Sequence, residues 1–263
     1  MLSEIAVCLE IGPKGAGVFV PDCPGCWVFA KTKNKALKKA RVAVVEWFEW
    51  MKKHKERVPD LKGKLKIEVA ELLWVNYNPV EAGKPEPLFW SEVLPVKKDD
   101  IKKTLKLMYY SRQDLLALVS PLTQEQLDWN PPGEPRSIRN CLKHIAIVEP
   151  WYINRLNIKL PEAYPRDVFK LLNHTREIVL DCLNDFPREK MKGVFIPQKY
   201  KSPVCDLWTA RKVLRRLVDH ERLHTKYIQK VVKMYKKDRG LRLFIHLSRK
   251  LKECPFNLKL ARM

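Results

Sequence analysis

"DLWTARKVLRRLVDHERLHTKYIQKVVKMYKK", residues 206–237, is the longest uninterrupted helical pattern in the chain, and the rest is read outward from it. Val213, Leu217, His220, His224, Ile228 and Val231 follow one another at steps of four, three, four, four and three. Such steps put all six side chains on one face of a helix with 3.6 residues per turn. His220 and His224 therefore lie on the apolar stripe that should turn inward. Two imidazoles one turn apart can chelate a metal, but an isolated H-x-x-x-H is as readily two buried, hydrogen-bonded histidines. A third ligand has to come from another helix.

"SIRNCLKHIAIVEPWYINRL" (137–156) offers one: Cys141, His144, Val148 and Trp151 recur at three, four and three, and Ser137 is a natural N-cap. His144 thus also points inward. Two further amphipathic patterns, "DDIKKTLKLMYYSRQDLLALVS" (99–120) and "PRDVFKLLNHTREIVLDCLNDF" (165–186), bring the number of long helices to four. An antiparallel four-helix bundle is the economical arrangement. His174 on the third helix ranks behind the other three histidines; His54 and His246 fall in basic stretches expected to be exposed. Three neutral imidazoles suit Zn, Ni, Fe or Cu. Three protein ligands leave positions open for water or substrate, as in catalytic rather than closed structural zinc sites. Simple packing of three buried histidines stays open at this point.

Residues 1–75 have a different grammar. "EIAVCLEI" (4–11), "GVFVPD" (17–22) and "CWVFAKT" (26–32) are strand-like, separated by glycine turns and Pro24-Gly25. "NKALKKARVAVVEWFEWMKKHKE" (34–56) is an amphipathic helix with Asn34 as its expected cap, and "KLKIEVAELLWV" (64–75) starts as a returning strand. Between 76 and 98 four prolines and a glycine break regular structure, so a linker or crossover is expected, with Leu88, Phe89 and Trp90 seeking burial. Cys23-Pro-Gly-Cys26 matches C-x-x-C, but it sits between strand-like runs and has no second pair to complete a zinc site. A turn holding two small apolar side chains is the expectation.

The chain has 263 residues and a net charge of +21. Residues 1–95 hold 15 Lys and Arg against 12 Asp and Glu, whereas residues 96–263 hold 36 against 18. The excess is therefore carried by the helical half and the segment 238–263, which could meet nucleic acid or anionic surfaces; a lysine-rich solvated face is the plainer expectation. Seven scattered cysteines argue against a secreted disulfide framework. No long apolar run suggests a signal peptide or a membrane span, so a cytoplasmic protein is expected.

With these motifs in place, "LTQEQLDWNPPGEPRSIRNCLKHIAIVEPWYINRL" (122–156) followed by "LVDHERLHTKYI" (217–228) resembles the DinB-like family of four-helix metalloproteins, over roughly residues 100–236. The resemblance implies metal-ligand roles for His144, His220 and His224, a divalent ion (Zn, Ni or Fe), and for some members thiol-dependent transfer to a small electrophile. Pro150, six residues after His144, departs from the pattern and should kink its helix. "GVFVPDCPGCWVFAKTKNKALKKARVAVVEWFEW" (17–50) resembles the HicB-like antitoxin domain, which implies a small three-stranded sheet with one helix. The expected fold is α+β: an HicB-like antiparallel sheet domain (1–75), a linker (76–98), a DinB-like antiparallel bundle (99–237) and a basic extension (238–263). The expected function is metal-dependent transfer, with a non-enzymatic regulatory or nucleic-acid-binding role as the alternative. Pairing of two chains through the bundle is left open.

Overall fold

The computed structural model describes residues 3–59, 65–79, 87–198 and 206–253, with side chains described as far as residue 240. Three strands follow in succession, β1 (Ser3–Gly12), β2 (Gly15–Phe19) and β3 (Trp27–Ala30), each antiparallel to the one before it. Helix α1 (Lys33–Lys53) then crosses the sheet, and β4 (Leu65–Trp74) pairs with β1 from Ser3↔Leu65 to Ile11↔Trp74 in parallel. The sheet order is β3-β2-β1-β4. The antiparallel three-stranded sheet expected from the sequence is thus a four-stranded mixed one. A hairpin can join only antiparallel strands, whereas a helical crossover returns the chain to run in the same direction. Thr32, not Asn34, caps α1 by accepting from the Lys35 amide at 3.3 Å. Ala36, Ala40, Ala43 and Val44 bring its inner face close to the sheet.

Past the short helix α2 (Trp90–Val93) come α3 (Lys98–Val119), α4 (Gln124–Asp128), α5 (Ile138–Asn154), α6 (Val168–Asn184) and α7 (Ala210–Glu253). Phe89 is buried as expected, but Trp90 is 78% exposed. Ser137 caps α5 through the Asn140 amide at 3.3 Å, and Pro150 sits inside α5 without ending it. Asp100 secures the start of α3, accepting from the Lys97 amide at 2.8 Å. Helix α7 continues past residue 237 to Glu253; the side chain of His246 and residues 254–263 lie outside the described residues.

Cross-helix bonds give the relative directions. Arg112 Nη1 donates to the Leu172 carbonyl and Arg176 Nη1 to the Met108 carbonyl, both at 2.8 Å, so α3 and α6 are antiparallel. On α5 and α7, Cys141 meets His224, His144 meets His220, and Tyr152 meets Arg216, again antiparallel. By contrast, α3 and α7 are parallel, with Asp100 bonded to Arg211 and Arg112 to Glu221. Helices α5 and α6 also run the same way: the starts of both, near Leu142 and Leu172, share one apolar cluster, and Glu149 bonds Arg176 further along. Each long helix therefore has one parallel and one antiparallel neighbour, in place of the uniformly antiparallel order expected. Residues 155–167 make this geometry reachable, since fully extended they outreach a 17-residue helix of roughly 25 Å.

Two large apolar clusters fill the molecule, beside a small one of Cys8, Phe19 and Phe89. One joins the sheet and α1 to Leu107, Met108, Ile153, Val179, Leu217 and Val218. The other lies among helices alone, with Leu115, Val119, Leu142, Leu172, Ile228 and Val231. Between these clusters each of α3, α5, α6 and α7 carries buried polar residues, with Pro150 buried beside Glu149 on α5. Arg112, Glu149, Arg176 and Glu221 form a buried quartet there, and the imidazoles of His144, His220 and His224 occupy the same level.

Candidate metal centre

His220 comes to the layer because α7 faces inward at that turn; it is 5% exposed. Its Nε2 lies 3.1 Å from Nε2 of His144 on α5. His224, one turn further on, has its ring centroid 4.4 Å from that of His220 and 4.8 Å from that of His144. One nitrogen from each of the three imidazoles falls within 4.8 Å of the others. His144 and His224 are half-buried, so the cluster reaches the surface on one side. The structure thus brings together the three histidines expected from the two stripes. His174 stays apart, bonded through Nε2 to the Ala163 carbonyl at 3.0 Å. His54 was expected to be exposed, but it stacks on Tyr110 at 4.2 Å and bonds Asp114 at 3.2 Å.

All three rings are held neutral. Burial pushes His144 down to about 4, aided by the Arg136 cation. Burial also takes His224 down to about 3, with His144, Arg136 and Arg216 adding to it. His220 is driven well below the ordinary range, by burial first and then by His224 and Arg216. Neutral imidazole is the ligating form. The Nδ1 of His220 is buried with no hydrogen-bond partner among the described residues. The nitrogen of His220 that faces the cluster is Nε2, and ring nitrogens of neutral imidazoles brought together from two helices are a donor set that fits a cation.

The surroundings contain two features that the stripes did not announce. Cys141 Sγ lies 3.4 Å from Nδ1 of His224, and burial raises its thiol to about 12, so it stays protonated. Tyr152 packs edge-on against His220 with ring centroids 5.6 Å apart. Cys141 was on the sequence stripe, but spacing alone does not show a hydrogen bond. Asp219 and Glu221, which flank His220, are engaged elsewhere. Asp219 accepts from the Gly25 amide and from Arg215, and Glu221 belongs to the quartet. Cys23 and Cys26 are buried in a turn, with Cys26 Sγ donating to the Ala43 carbonyl at 3.1 Å, as the apolar-turn reading expects.

Residues 107–228 match the DinB superfamily. The segment that matches DinB contains all three clustered histidines and ends at Ile228, whereas residues 6–72 match the HicB-like antitoxin of bacterial toxin–antitoxin systems. No curated protein matches the chain. No helix among the described residues is long and apolar enough to cross a membrane.

Proposed function

We propose that the protein binds one divalent metal ion through His144, His220 and His224 and uses it for group transfer. The observation carrying this reading is the convergence of three neutral imidazoles from α5 and α7, with one nitrogen from each within 4.8 Å of the others. The DinB match supports it. In this reading α3, α5, α6 and α7 form the family's four-helix bundle over 99–237, the sheet domain of 1–75 is a binding or regulatory module, and 76–98 joins the two. Zn, Ni or Fe are the ions that the donor set favours. When bound, such an ion supplies Lewis acidity and holds a low-molecular-weight thiol as its nucleophilic thiolate, ready for a small electrophile.

The chain's own residues do the rest. Burial keeps the three rings deprotonated at neutral pH, so no proton has to leave before ligation. Cys141 fixes the orientation of His224 through Nδ1. Arg136 and Arg216 keep the local potential positive, which favours an anionic thiol over a neutral one. Elemental analysis of the purified, metal-reconstituted protein against the His220→Ala, His224→Ala double variant tests the reading. Near-stoichiometric metal that disappears in the variant is expected. Equal metal content in the two proteins, or none in either, would overturn it.

A further inference from the structure

A cleft of about 420 Å³ opens between α1, α3 and α7, on the side of α7 away from the histidines, and Arg222 is its centre of charge. Arg222 lies with its guanidinium carbon 3.6 Å from the centroid of Trp50, and its Nε is buried with no hydrogen-bond partner. Among the described residues the guanidinium donates to no acceptor and meets no carboxylate at ion-pair distance. Such an arginine is unusual, because a largely desolvated guanidinium ordinarily finds an anion.

The other charges around the cleft are already balanced. Lys53 bonds Asp114 at 2.6 Å, and the same carboxylate also accepts from Trp50 Nε1 at 2.6 Å and meets His54 at 3.2 Å. Lys226 bonds Glu46 at 2.6 Å. Thr225 donates to the Glu221 carbonyl, and Gln229 stands exposed on the rim. With each lysine paired to an acid, Arg222 is the one cation lining this cleft without an ion-pair or hydrogen-bond partner among the described residues.

We propose that this cleft is a binding site for a small oxyanion, a carboxylate or a phosphate. Arg222, stacked on Trp50, provides the charged fork, and Gln229 provides a neutral donor at the mouth. The volume lies within the range of small-ligand pockets. A guanidinium with one face on an aromatic ring and no hydrogen-bond acceptor of its own is suited to two-point recognition of such groups. The site is independent of the histidine cluster.

Isothermal titration of the full-length protein with sodium phosphate and with malonate, against sodium chloride at matched ionic strength, tests the proposal. Saturable heat with phosphate, malonate or both is expected, and the preferred anion identifies the source chemistry. Arg222→Gln should weaken binding by roughly tenfold or more, the factor expected when a charge-assisted two-point contact is lost. Heat that does not saturate, that chloride reproduces, or that survives Arg222→Gln overturns the site. If Arg222→Gln does not fold, Gln229→Ala on the exposed rim decides: weaker binding supports the site and unchanged binding overturns it.

Discussion

Two groups of buried polar side chains share one layer of the helices, and they are built on opposite principles. In the quartet, two guanidiniums face two carboxylates. Arg112 bonds Glu221 and Glu149, and Arg176 bonds the same two acids, at distances of 2.5 to 2.9 Å. Each of these residues comes from a different helix, and remaining donors go to the Leu172 and Met108 carbonyls. In the histidine cluster, three like groups crowd together, and they depress one another's basicity. In the quartet each charge meets two opposite ones, although Oε1 of Glu221 is buried without a hydrogen-bond partner; in the cluster like meets like. Position in the fold is the same, so the chemistry of the side chains alone separates the ion-paired quartet from the cluster proposed as a metal site.

Breaking the quartet should produce the largest effect. Glu149→Ala leaves Arg112 and Arg176 buried against a single carboxylate, and a loss of about 3–5 kcal/mol in urea unfolding is expected. A loss below about 1 kcal/mol would show that water reaches the layer and that it is not sealed. The histidine cluster should respond to metal rather than to deletion. Zinc at about a hundredfold over its dissociation constant should stabilise the native protein by about 2.7 kcal/mol, and this gain should vanish in the His220→Ala, His224→Ala variant. A zinc-induced rise in thermal midpoint that persists in the variant would break the comparison.

Acid sharpens the contrast further. The rings titrate at an ordinary 6.5 in the unfolded chain, but His144 is held down to about 4 and His224 to about 3 in the fold. The unfolded chain therefore takes up more protons as pH falls below 6.5, and metal-free protein loses stability from there toward 4. The quartet behaves differently. Burial raises the Glu221 carboxyl, yet Arg176 and Arg112 together hold it below its ordinary 4.5, so its contribution is intact above that value and lost only below it. Urea midpoints followed from pH 7 to 4 should show the first fall flattened in the double histidine variant. A curve unchanged by the substitutions would assign the fall to other groups. The smallest expected effect is Ser137→Ala at the start of the helix carrying His144, about 1 kcal/mol by denaturation.

The histidine cluster was legible because imidazoles on an apolar stripe are exceptions that spacing exposes. The quartet was not. Arg112, Glu149 and Arg176 are single charges inside helical patterns, and nothing in periodicity tells a buried charge from one on a solvated face until its partner on another helix is known. The same limit hid the parallel pairing of β4 with β1 and of α5 with α6. Hydrophobic steps fix which side of an element is buried, whereas direction is set by the length and path of the connections, here α1 and residues 155–167. Trp90 shows the reverse error: one apolar side chain in an irregular segment carries no pattern that could assign it to the core.

The turn at Pro24-Gly25 has a consequence for how this chain can vary. Gly25 adopts φ +92, its amide donates to Asp219, and a Cβ there would lie 2.3 Å from Cδ of Arg222. Any larger residue at 25 must displace the side chain that separates His220 from His224 in the sequence of α7. Positions 25 and 222 should therefore drift together or not at all across descendants of this sequence, so that the two halves are coupled in their inheritance as well as in their packing.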